Sequence, residues 1–109
     1  MESCRDFMTQ TGSHFVYILR CQGNRLYTGY AIDPYARYSK HCEGVAAHFT
    51  RAFPPLELLC VIPVESRSQG LKLESAIKKL TRSRKDLLLV SMQTLGVHVA
   101  LLLLEPSSL

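Results

Sequence analysis

The chain has 109 residues with 13 Lys and Arg, nine Asp and Glu, four cysteines and no tryptophan, for a formal net charge of +4. That length holds one domain with a modest core and excludes a two-domain enzyme with a dedicated cofactor domain. At 47% apolar and 20% charged residues, the composition also excludes a disordered acidic tail or a collagen-like chain.

The charge is uneven. Residues 1–66 carry six basic and six acidic groups, whereas residues 67–85 carry seven basic groups against Glu74 alone. A run of that density suits a polyanion such as nucleic acid, or a solvated helix face. Cys4, Cys21, Cys42 and Cys60 include no Cys-x-x-Cys pair, and His41-Cys42 with His48 lack zinc-site spacing. Residues 1–13 contain Glu2, Arg5 and Asp6 without an apolar stretch, so a signal peptide is not expected, and the chain reads as cytoplasmic with reduced thiols. Leu87 to Leu104 is uncharged, but Ser91, Gln93, Thr94, Gly96 and His98 interrupt it, so no membrane span is expected.

In chain order, residues 1–13 read as a flexible polar leader. His14–Cys21 reads as a strand, Gln22-Gly23-Asn24 as a turn, and Arg25–Ala31 as a second strand that forms a hairpin with the first. A three-residue loop sets Tyr17 opposite Gly29, puts Tyr17 and Tyr27 on one face, and leaves space above Gly29. A two-residue loop would instead pair Tyr17 with Tyr30. Asp33-Pro34 opens a helix over 34–43 that Gly44 stops. On it Tyr35, Tyr38 and Cys42 form one stripe, and Arg37 and His41 share another face. Val45–Pro55 reads as a loop, and Leu56–Val64 as a third strand that Pro63 assigns to an edge or terminus. Ser66-x-x-Gln69 resembles a capping box and starts a helix to about Thr81, with Leu73, Ala76, Ile77 and Leu80 inward. Another helix begins near Ser83. The expected architecture is an α+β fold of the α/β class, a small central three-stranded antiparallel sheet flanked by helices. The expected division is a leader over 1–13, a domain over 14–90 and an apolar C-terminal extension over 91–109.

Five positions carry a resemblance. Phe15-Val16-Tyr17-Ile18 and Leu26-Tyr27-Thr28-Gly29 resemble the two motifs of the GIY-YIG nuclease superfamily, with the motif tyrosines ten residues apart. Arg37 and His41 stand where that family carries its arginine and its His or Tyr. Glu74 in Leu73-Glu74-Ser75-Ala76 matches its metal-binding glutamate. The likeness spans 14–90 and is nearest to small stand-alone bacterial members. Each residue alone has an ordinary reading: strand tyrosines, a solvated arginine, a Glu74–Lys78 helix pair. The ordered set at matching spacing is what distinguishes them. This chain departs in having Phe-Val-Tyr and Tyr-Thr-Gly, in carrying Tyr30 where some members have lysine, and in lacking any asparagine after Asn24.

The resemblance implies a metal-dependent endonuclease that hydrolyses DNA phosphodiester bonds, selective for DNA structure or single strands, in repair or processing. Glu74 would hold one divalent cation, Mg²⁺ or Mn²⁺, because a lone carboxylate with waters and phosphate oxygens suits hard cations. Arg37 would clamp the scissile phosphate. Tyr17 would activate or orient the water, Tyr27 would bond the phosphate or share the base role, and His41 would relay a proton or hold a phosphate oxygen. Lys78, Lys79, Arg82, Arg84 and Lys85, with Thr50-Arg51 in the loop, would add phosphate contacts with little sequence preference. Two alternatives stand beside this: a non-catalytic nucleic-acid-binding module, and a nuclease subunit whose apolar tail docks on a protein partner.

Overall fold

The computed structural model describes residues 13–96 of the chain; the expected leader up to residue 12 and the tail beyond Gly96 lie outside the described residues. Three strands, β1 (His14–Cys21), β2 (Arg25–Ala31) and β3 (Pro55–Val64), form one antiparallel sheet in the order β2-β1-β3. Four helices accompany it: α1 (Pro34–Glu43), α2 (His48–Ala52), α3 (Arg67–Lys78) and α4 (Arg82–Leu95). The α+β fold is therefore the expected one.

The central place of β1 follows from its sequence. Phe15 to Leu19 are five consecutive apolar or aromatic residues, each 6% exposed or less, so both faces of the strand are covered. Each such aliphatic side chain contributes roughly 1.5–3 kcal/mol by leaving water. β2 and β3 are the edges, and Pro63, which has no N–H to donate, sits on β3 as expected.

The hairpin takes the three-residue turn, with Gly23 at φ 77° and Asn24 at φ 57°. Glycine and asparagine tolerate this left-handed region best. The turn sets Cys21 opposite Arg25, Leu19 opposite Tyr27 and Tyr17 opposite Gly29. On the other side, Tyr17 pairs with Val61 of β3. Tyr17, Leu19, Cys21 and Ala31 form a buried cluster against which Tyr27, Tyr38, Phe49, Phe53, Leu58 and Val61 pack.

Helix α1 begins where expected, with the Asp33 side chain accepting from the Ala36 N–H, and ends at Gly44, whose N–H bonds the His41 carbonyl. Its most buried side chains are Pro34 and His41, off the tyrosine stripe. Tyr35 is 56% exposed and Cys42 is exposed, whereas His41 is 1% exposed. Burying an imidazole is tolerable when both ring nitrogens are hydrogen-bonded, as they are for His41.

The segment Val45–Pro55, expected to be a loop, contains helix α2. Five residues are too few to show a hydrophobic period, and Ala47 at its N-cap supplies no side-chain bond. The expected capping box is present: Ser66 Oγ accepts from Gln69 N–H, and Gln69 Oε1 accepts from the N–H of Glu65.

The chain divides into two compact units, one ending at Glu74 and one beginning at Ser75. In the second, Ile77, Leu88, Ser91 and Met92 are buried, while Ala76, expected inward, is exposed. α4 starts at the Thr81 cap and runs through position 90 to Leu95, so the expected boundary at 90 falls inside a helix. No helix among the described residues is long and apolar enough to cross a membrane.

Candidate active site

Four side chains act on one hydroxyl. Tyr17 rises from the middle of β1, where Gly29 stands opposite. A Cβ built on Gly29 would lie 2.5 Å from Cζ of Tyr17. The space expected above Gly29 is thus filled by the Tyr17 ring itself, and only a residue without Cβ fits beneath it.

The Tyr17 hydroxyl lies 2.7 Å from Nε2 of His41, one residue from a strand and the other from α1. The rings of Tyr27 and His41 meet edge to face with centroids 4.9 Å apart, and the rings of Tyr17 and Tyr27 are 6.4 Å apart. Phe49 of α2 packs on the other side of Tyr27, at 5.7 Å.

Arg37 lies one helical turn before His41 and is exposed. It acts on Tyr17 as a positive charge, and its Nη2 donates to the Ala46 carbonyl at 3.3 Å. Tyr17 itself is 1% exposed. Glu74, half-buried on α3, acts on the same hydroxyl as a negative charge.

These neighbours set the proton affinities. Burial pushes the Tyr17 phenol well above its ordinary value, and Tyr27 adds to that push. Arg37 opposes it, and Glu74 raises it further. A phenol held this firmly protonated is no ready-made base. His41 moves the other way: burial, and then the charge of Arg37, lower it to about 4. It is neutral at physiological pH, and its nitrogens are taken by Tyr17 and by Thr50 Oγ1 at 2.7 Å. Both His41 nitrogens thus have protein partners.

Thr50 was the residue hidden from sequence reasoning. Expected as a loop contact for phosphate, it is 1% exposed on α2 and bonded to His41. No local signal marks it, because its partner is nine residues away on another helix.

Of the expected phosphate contacts, Arg51 is exposed, with Nη2 2.9 Å from His48 Nδ1. Lys78, Lys79, Arg82 and Arg84 are exposed and Lys85 is half-buried, at the end of α3 and the start of α4. Arg82 is paired with Asp86 at 2.9 Å, an exposed i,i+4 pair that water and phosphate readily exchange. As a metal site, Glu74 brings a single carboxylate. The described residues contain no group of three or more His, Cys, Asp or Glu that could form a closed cage. That donor set fits a hard cation that keeps most of its waters.

The chain is similar in sequence to known proteins. The family described as the GIY-YIG catalytic domain matches residues 13–86. The chain is 45% identical over 73 residues to the UPF0213 protein of Staphylococcus aureus strain Mu3, and equally to UPF0213 protein SAV0488 of strain Mu50; the match covers 67% of this chain and 89% of each relative. The solution NMR structure of UPF0213 protein BH0048 from Bacillus halodurans is 35% identical, with a TM-score of 0.48, covering 71% of this chain and 82% of that one. With the family matched over residues 13–86, this chain belongs to the GIY-YIG catalytic-domain family.

Proposed function

We propose that the chain is a metal-dependent endonuclease that hydrolyses DNA phosphodiester bonds, with a preference for branched or single-stranded DNA, and that it serves cytoplasmic DNA repair or processing. The observation that carries this reading is the convergence of His41, Arg37, Tyr27 and Glu74 on the Tyr17 hydroxyl.

The chemistry follows from the charges. Arg37, planar and permanently cationic, binds a non-bridging phosphate oxygen. The attacking water passes a proton to the Tyr17 oxygen while Tyr17 passes its own proton to Nε2 of His41. Hydroxide then bonds phosphorus, the bond to the leaving oxygen breaks, and that oxygen takes a proton from solvent. Tyr17 thus acts without ever becoming a free phenolate, which suits a phenol that burial holds protonated. Tyr27, half-buried beside it, bonds the phosphate. Glu74 would hold Mg²⁺ or Mn²⁺, and the bound ion supplies charge stabilisation at the phosphate and leaving oxygen. Arg51, Lys78, Lys79, Arg84 and Lys85, with Arg82 in exchange with Asp86, give affinity through the DNA backbone without reading bases.

The test is incubation of the full chain with labelled branched, single-stranded and duplex DNA, with Mg²⁺ or Mn²⁺, beside Glu74→Ala. Metal-stimulated cleavage that disappears in the variant is expected. Binding without cleavage by the wild type would make the chain a nucleic-acid-binding module. Cleavage that survives Glu74→Ala would remove Glu74 as the metal ligand.

A further inference from the structure

The buried hydrogen-bond chain beneath the site has a direction, and both of its ends fix it. At one end the Thr50 hydroxyl lies 3.3 Å from the Ala47 carbonyl oxygen, which can only accept. Thr50 has one proton; given to Ala47, it leaves Oγ1 as an acceptor for His41 Nδ1 at 2.7 Å. At the other end the Tyr17 phenol carries one proton to give, and its oxygen lies against His41 Nε2. The Tyr17 proton is then directed to His41 Nε2 at 2.7 Å.

Reversing the chain fails at both ends. With the proton on Nε2, the buried Tyr17 proton would lose that acceptor, while Thr50 would turn away from Ala47. Leaving a buried donor without an acceptor is costly.

We propose that Thr50 is a positioning residue that fixes His41 as the Nδ1–H tautomer and so presents the bare Nε2 lone pair to Tyr17. This rests on the nuclease reading for its consequence but not for its geometry. With Nε2 bare, the imidazole accepts the Tyr17 proton and becomes imidazolium, its Nδ1–H still held by Thr50. With Nε2 protonated, there is no lone pair to receive that proton and the relay stops. The short helix α2 therefore belongs to the catalytic apparatus through the orientation of one ring, although Thr50 itself touches no substrate.

The experiment uses the full chain with ¹⁵N-labelled histidine. The nitrogen shifts of His41 should identify Nδ1 as protonated and Nε2 as bare. Thr50→Val keeps the β-branched shape without the hydroxyl; the Nε2–H form should appear, and kcat for DNA cleavage should fall ~10- to 100-fold with DNA affinity unchanged. Thr50→Ser should restore both the tautomer and kcat. An Nε2–H tautomer in the wild type would overturn the proposal, as would a Thr50→Val protein retaining wild-type shifts or wild-type kcat. If Thr50→Val does not fold, the wild-type and Thr50→Ser spectra decide by the same criterion. Absence of cleavage by the wild type would count against the nuclease reading alone, since the nitrogen shifts report the Thr50 assignment without turnover.

Discussion

The hydroxyl of Tyr17 and Nε2 of His41 are 2.7 Å apart although 24 residues separate them in the chain. One is held so that it keeps its proton and the other so that it stays neutral. That opposed pair is suited to pass a proton only when a reaction drives it. Removing the phenol oxygen tests the pair directly. Tyr17→Phe should lower kcat by ~10²–10⁴ while DNA affinity holds. It should also cost about 1–3 kcal/mol in urea unfolding, because the buried imidazole loses a partner. Full activity in the variant would remove Tyr17 from the reaction.

Gly29 is the steric complement of that tyrosine. Gly29→Ala places a methyl 2.5 Å from the Tyr17 ring carbon, with no flexible chain end to give way. Thermal unfolding should register a loss of roughly 1–3 kcal/mol, and the Tyr17–His41 hydrogen bond should lengthen. A variant as stable as the wild type would mean that the ring has room to move.

Stability should carry the signature of His41. Its folded value of about 4 lies below the ordinary 6.5, so the unfolded chain binds the proton more readily. This contribution is intact above pH 6.5 and is lost as pH falls toward 4, on the order of 3 kcal/mol in all. Tyr17 works at the opposite end: its raised value leaves stability intact below pH 10 and erodes it above. Urea unfolding against pH, compared with His41→Gln, isolates the acid limb. An NMR titration of His41 with its midpoint near 6.5 would contradict it.

Arg37 is exposed, bonds the Ala46 carbonyl and acts as a positive charge on Tyr17. Arg37→Lys keeps the charge but loses the planar fork, so one donor to either phosphate or Ala46 is given up. Single-turnover cleavage should slow by ~10² or more. A near-normal rate would show that charge alone suffices.

The exposed cations of α3 and α4 should act through salt. Replacing Lys78 and Lys79 by alanine should make the logarithmic salt dependence of DNA affinity shallower by up to about 2, uniformly across DNA sequences. An unchanged slope would assign these lysines to solvent.

Much of this was legible in the residues. Apolar strand runs, Asp33-Pro34, Gly44 and the Ser66–Gln69 box are local signals, and each acts through bonds within a few residues. The tyrosine pair was legible up to a choice of turn, since one residue more or less in the loop moves Tyr27 to the other face. Helix α2 was not, because five residues with no side-chain cap carry neither period nor stop signal. The inward face of α1 was not legible either, because the burial of His41 depends on two hydrogen bonds to distant segments.

The strands, the longer helices and the five family positions follow from residue type and spacing along one chain. What those residues can do depends on contacts between segments far apart in it. Tyr17 stays protonated, His41 stays neutral and Thr50 orients it, because burial and hydrogen bonds between distant segments set proton affinity.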